Sequence, residues 1–407
     1  MSLQVALTGI NAASTELNSI SNNIANNATT GFKKSRVEFS DVFAQSAFGS
    51  SGESTGGGVR VTNVRQEFEQ GDMQFSGRNL DLAVEGLGMF RLDNDGSALY
   101  TRAGNFGMDR EGYLVNAAGN KLTGFGVGEN EEIQPITEDL RIEFGDMRPN
   151  TTTEVEILMN LDIKTNVLPP FDPNDSGTFN FSTSVTVFDS LGSSQLANLY
   201  FKKDAPNTWS TYTYVDGVEV NQVGGDEIVF NNSGELDTIN GAPGTSYTTN
   251  VFTPMSNANP MDLTFDVSTL TQYDNSFGIN RIVQDGYAAG RMEDFDIDSD
   301  GIVFGRFSNG QAKMMGQVTL SNFPNTSGLK QANTTTWTET FASGEPATGA
   351  PGSASLGKLQ SGALEGSNVD LTKELVAMIG AQRSFQANAQ VISTGDKITQ
   401  TVINIRR

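Results

Sequence analysis

Two heptad stripes, one at each end of the chain, constrain this sequence more than any other feature. Leu3, Ile10, Leu17 and Ile24 recur every seven residues, with Ala6, Ala13 and Ile20 three positions after the first three. That spacing draws a narrow apolar seam along a helix. The C-terminus repeats it: Leu371, Met378, Phe385 and Ile392 step by seven, flanked by Leu375 and Ala389, before the stripe drifts to Ile398, Val402 and Ile405. Ser367, Asn368 and Asp370 are suited to cap the second helix. Glu16 is the single charged side chain before Lys33, and Asn11, Asn18, Asn22, Asn23, Asn26 and Asn27 are weak helix formers. Such a helix is marginal alone, so the two seams predict a coiled-coil layer between molecules, disordered in the monomer and folded on assembly. The seam is assigned to Leu3, Ile10, Leu17, Ile24, Leu371, Leu375, Met378, Phe385, Ile392 and Val402.

Between the stripes the sequence reads as β structure. Asn79 to Val84, Ser184 to Phe188, Ala197 to Phe201, Thr211 to Val215 and Leu263 to Val267 alternate apolar and polar residues. Asp216-Gly217, Asn232-Ser233-Gly234 and Asp300-Gly301 supply turns. The expected fold is mainly β with α-helical termini: nested antiparallel sandwich or barrel domains plus a helical coiled-coil layer. Gly49 to Gly58, Leu168 to Pro173 and Ala342 to Gly357 have loop composition.

Composition removes whole classes of function. The 407 residues include no histidine and no cysteine, which excludes Ser-His-Asp and Cys-His catalysis, His or Cys metal sites and disulfides. No cofactor is expected; paired-carboxylate hydrolysis stays open with 48 Asp and Glu, but nothing singles out a pair. The net charge of −22 repels phosphate backbones and anionic lipid, so nucleic acid is not an expected partner. No basic leader precedes the first apolar residues, and no run reaches the ~18 apolar residues of a membrane span.

Three motifs tempt and fail. Phe-x-x-Asp-x-(Asp/Glu)-Gly occurs at Phe90–Gly96, Phe106–Gly112 and Phe295–Gly301. The last places Asp296, Asp298 and Asp300 as an EF-hand would, but Phe307 stands where a bidentate glutamate is required, so turn chemistry is expected instead. Gly352 to Lys358 spells a phosphate-loop pattern with Leu359 in place of the hydroxyl. Gly86-Leu87-Gly88 lacks a following helix.

Asn22 to Lys34 (NNIANNATTGFKK) resembles the N-terminal signature of flagellar rod and hook proteins, with Asn22, Asn26, Thr29, Gly31, Phe32 and Lys33 as its marked residues. Gln70 to Phe90, Tyr100 to Phe106, Gly112 to Gly124 and Leu364 to Ile405 resemble further blocks of the same axial family. A β-rich stretch over about Gly145 to Asp285, with Thr186 to Lys203 and Trp209, is similar to the insertion that marks the hook branch. The resemblance implies four regions: a helical layer at 1–28 and 366–407, a connecting region at 29–70, an inner β domain at 71–145 and 282–365, and an inserted outer β domain at 146–281. It also implies a subunit that polymerises with itself into a curved tube joining rod to filament, a universal joint for torque. Implied partners are the distal rod protein, the hook–filament junction protein, the hook cap protein and the type III export apparatus, with an extracellular location reached without a cleaved signal peptide. A distal rod or other axial protein is the near alternative. An extracellular carbohydrate-active β protein and a calcium-dependent adhesin are more remote.

Overall fold

The computed structural model describes residues 2–42, 56–128 and 132–405. Helices α1 (Ser2–Ala25) and α2 (Leu371–Ile405) stand at the two ends, and strands fill the chain between them. The chain forms two units: Met1–Phe144 with Asp294–Gly305 and Ala312–Arg407, and Gly145–Glu293 with Arg306–Gln311.

The β body of the first unit is woven from both halves of the sequence. Met73–Phe75 pairs with Ala363–Glu365, Leu82–Glu85 with Lys358–Ser361, Ser97–Thr101 with Thr336–Thr338, and Met89–Asn94 with Leu320–Asn322. Each ladder is antiparallel and joins residues more than two hundred positions apart, so this body forms only when both ends of the chain are present. Phe90, Leu92, Leu122, Val318, Leu320 and Trp337 are fully buried within it. Phe90 meets Phe106 edge-on at 5.3 Å, and Tyr100 meets Phe323 at 4.7 Å, the offset geometry aromatic quadrupoles favour.

A separate ribbon of β1 (Ser35–Asp41) and β2 (Val59–Gln66) occupies the connecting stretch and packs on α1. The Val59 amide donates to Thr8 Oγ1 at 3.3 Å, and the Ser19 hydroxyl donates to the Ser35 carbonyl at 3.1 Å.

The second unit is a sandwich. Five strands from Phe181–Phe188 to Leu236–Ile239, with Val218–Glu219 beside them, make one sheet; Ser246–Thr248, Thr264–Asp266, Glu154–Asn160 and Gly278–Gln284 make the other. Val155, Ile157, Leu199, Phe201, Trp209 and Phe265 fill the space between, all fully buried. One ladder departs from the antiparallel expectation: Glu154–Asn160 runs parallel to Thr264–Asp266. The chain leaves this sheet, builds the opposite one and returns, a crossover long enough to re-enter in the same direction.

Turn chemistry recurs at five places among the described residues. The side-chain oxygens of Asp109, Asn116, Asp189, Asn231 and Asp298 each accept the amides two and four positions ahead, at 2.8–3.1 Å. The third position is always a glycine at positive φ: Gly112, Gly119, Gly192, Gly234 and Gly301. Two of the three repeats seen in the sequence are therefore Asx turns, and Asp298 spends its carboxylate on amides. The repeat at Phe90–Gly96 closes differently, with Asp95 and Gly96 both at positive φ and the Asp93 carboxylate taking the Gly96 amide. Gly352 to Lys358 is an irregular loop that leads into a strand.

Candidate assembly surface

Small residues bring the terminal helices together. Ala6, Ala12, Ala13 and Ile20 on α1 and Ala381 on α2 are buried. A methyl at Gly9 would sit 2.7 Å from the Asn388 amide, Gly395 lies opposite Leu3, and Asn23 Nδ2 donates to Glu374 Oε2 at 3.3 Å. These contacts fix an antiparallel pair in which the start of α1 meets the far part of α2.

The expected seam residues lie on this pair at different depths. Ile10, Leu17, Ile24, Met378 and Ile392 are half-buried, whereas Leu3, Leu371, Leu375 and Phe385 are 39, 42, 46 and 37% exposed. Val402 lies in α2, but its side chain falls outside the described residues. Val376, Ile379, Val391, Ile398 and Ile403 are also exposed, so the pair presents an apolar flank that the described residues do not cover.

The marked residues after α1 lead into the β body. The Asn22 carbonyl accepts the Asn26 amide at 3.1 Å and Asn26 Nδ2 at 2.9 Å, and Thr29 Oγ1 donates to Asn26 Oδ1. This closes the helix. Gly31 has φ 67°, and a Cβ there would lie 2.4 Å from the Ala103 nitrogen, so both conformation and space require glycine. Phe32 and Lys33 then enter the interior, 2% and 0% exposed.

Lys33 ends in a buried ionic knot. Its Nζ donates to Glu365 Oε1 at 2.5 Å and to the Glu69 carbonyl at 2.7 Å. Arg102 Nη1 reaches Glu365 Oε2 at 3.0 Å, and its Nη2 donates to the Gly86 carbonyl at 2.6 Å. The Gly71 amide completes the set on Glu365 Oε1 at 3.0 Å. Two cations share one carboxylate with almost no solvent exposure, and the carbonyls of Glu69, Val84 and Gly86 accept further bonds from them. Burial lowers the proton affinity of both Lys33 and Arg102, and Glu365 opposes that shift.

Two asparagines join the neighbouring elements. Buried Asn23 exchanges two hydrogen bonds with the Ser35 backbone at 2.9 Å each, acting as a side-chain substitute for a strand pair between α1 and β1. Asn368 accepts the Lys34 amide at 2.8 Å and donates to the carbonyls of Glu67 and Glu69. It is therefore not the cap of α2. Asp370 is, through the amides of Thr372 and Lys373, whose bonds hold its carboxyl below the usual range. Sequence reasoning singled out Lys33 but not Asn23, Arg102 or Glu365. Arg102 and Glu365 lie in or beside the quoted blocks, and their short apolar and glycine neighbours were the available signal. Among the described residues no cluster of acidic side chains could hold a metal, and no helix is long and apolar enough to cross a membrane.

Family models cover most of this architecture. Residues 3–33 match "Flagella basal body rod protein", 83–159 "Flagellar hook protein FlgE/F/G D1 domain", 160–287 "Flagellar basal body protein FlaE D2 domain" and 360–405 "Flagellar basal body rod FlgEFG protein C-terminal". The chain is 38% identical to the flagellar hook protein FlgE of Salmonella typhimurium and, equally, to that of Escherichia coli, over 100% of both chains in each case. It is 33% identical to the FlgE of Treponema pallidum over 100% of this chain and 99% of that one. A crystal structure of the Helicobacter pylori flagellar hook protein FlgE2 shares the fold, with TM-score 0.54 at 14% identity, covering 70% of this chain and 99% of that one.

Proposed function

The chain belongs to the flagellar hook protein family, and from that we infer that it is the structural subunit of a bacterial flagellar hook. The observation that carries the reading is end-to-end coverage: hook proteins align with all of this chain, including the second unit. That same coverage, the second unit included, favours a hook protein over a distal rod or other axial protein.

On this reading the protein is a building block rather than an enzyme, and its place is the flagellum. Copies polymerise into a curved tube that transmits torque around a bend. The exposed flank of the α1–α2 pair, with Leu3, Leu371, Leu375 and Phe385 at its margin, is the surface that neighbouring copies cover. The half-buried Ile10, Leu17, Ile24, Met378 and Ile392 support it. The second unit acts as an outer domain that adjusts curvature. Contacts that must be remade at each revolution are best made through polar groups and bridging water. Distal rod, junction and cap proteins would meet the two ends of the tube, and export would proceed through the type III apparatus without cleavage.

The test is genetic. Deleting this gene from its own bacterium should leave basal bodies that end in rods without hooks, and a plasmid copy should restore curved hooks and swimming. Normal hooks in the deletion strain would contradict the reading.

A further inference from the structure

Phe341 is as exposed as in an extended peptide, at 106% relative accessibility, yet the turn that carries it is held on every side. Thr340 Oγ1 donates to the Gly328 carbonyl at 2.6 Å and accepts the Ala342 amide at 3.1 Å. Ser343, fully buried, accepts the Thr340 amide on its hydroxyl at 2.9 Å and returns a bond to the Thr340 carbonyl at 2.8 Å. Asn325 Nδ2 ties the Ala342 carbonyl at 2.9 Å. Gly328 lies against this backbone so closely that a Cβ would approach Ala342 to 2.5 Å. Val223 is equally bare at 105%, in a turn closed by the Gly225 amide on the Gln222 carbonyl at 3.0 Å, but it offers a smaller side chain and no aromatic ring.

A large ring on a preordered backbone has its ordering entropy already met and its desolvation gain unused, which is the state of a binding anchor before binding. We propose that Phe341 is an intersubunit anchor, buried against a second copy of this chain in the assembled tube; this rests on the hook-subunit reading. The area argues for a copy rather than a foreign protein. One phenylalanine covers roughly 150–250 Å², far below the ~1,200 Å² at which two proteins hold each other independently. Such a contact is useful where it repeats along a polymer and many weak contacts act together. Charge narrows the receptor: Glu339 and Glu345 flank the tip, and no lysine or arginine lies between Lys330 and Lys358. The neighbour should therefore offer an apolar recess with a neutral or basic rim. The adjoining strand Lys330–Asn333, exposed at all four residues, extends the same surface.

Because the chain has no cysteine, Phe341→Cys gives a unique label site. A small maleimide should modify it rapidly in monomer and at least roughly tenfold more slowly in tubes, equivalent to burial of ~1.4 kcal/mol or more. Phe341→Ser should melt as wild type and raise the critical concentration for polymerisation several-fold. Equal labelling rates in monomer and tube, or an unchanged critical concentration for Phe341→Ser, would overturn the assignment while leaving the hook reading intact. A wild-type chain that forms no tubes would overturn both.

Discussion

At the scale of single residues, the ionic knot makes the sharpest claim. Glu365→Gln would leave Lys33 and Arg102 buried without a counter-charge, whereas Lys33→Met leaves the Arg102–Glu365 pair whole. The first should destabilise the first unit by about 3–5 kcal/mol and the second by clearly less. The molecule carries its own reporters, since the two tryptophans lie in different units, Trp337 in the first and Trp209 in the second. Denaturation followed by Trp337 in a Trp209→Phe background should show that order; equal losses would contradict it. Tyr100 sets an alkaline limit. Burial and a hydrogen bond to Glu339 at 3.0 Å push its phenol from 10.0 up to about 12. The unfolded chain releases this proton first, so stability held below pH 10 is lost as pH rises towards 12. Tyr214, also raised to about 12, makes the same demand in the second unit. Melting temperature should fall over this interval, and less steeply for the Trp337 signal in Tyr100→Phe. None of the knot was legible as a knot. Single charges in separate blocks look like surface charges until the ladders bring positions 33, 102 and 365 together.

At the scale of elements, the helices and turns show what periodicity can carry. The stripes gave both helices, because a seven-residue apolar repeat has one regular solution. They did not give the depth of each residue. Ala6, Ala13 and Ile20 are buried and Gly9 and Gly395 lie directly against the partner helix, while Leu3, Leu371, Leu375 and Phe385 are left partly uncovered. The strands at 184–188, 197–201 and 211–215 were legible from alternation, and the observed ladders extend each of them. The Asx turns at Asn116 and Asp189 share the Asx-x-x-Gly core but carry Tyr113 and Thr186 where the repeat has phenylalanine, so the repeat pattern does not reach them. Two outcomes test the helical pair. Amide exchange on dilute monomer should find α1 and α2 weakly protected relative to the β body, and strong protection would contradict folding on assembly. Phe385→Ala and Leu375→Ala should leave unit melting nearly unchanged and weaken polymerisation, by up to the ~2–5 kcal/mol per subunit of a core truncation. Leu17 is a poorer probe because it is already half-covered in the single chain.

At the scale of the whole molecule, the second unit is proposed as a removable module. Its own core and two sheets support that, and its chain ends approach closely: Asn150 and Tyr287 exchange backbone hydrogen bonds at 3.0 Å. A cut at the expected bounds 146–281 would split the strand Gly278–Gln284. Removing Asn150 to Tyr287 with a short Gly/Ser bridge avoids this. The shortened protein should keep cooperative melting of the Trp337 signal and form straighter tubes; loss of that melting, or unchanged curvature, would contradict the modular role. The central claim is that this chain alone contains what is needed to build a hook. Electron microscopy of the purified full-length protein at high concentration tests it most directly: the account predicts curved tubes with a central channel, and monomers or straight channel-less fibres at every concentration would contradict it.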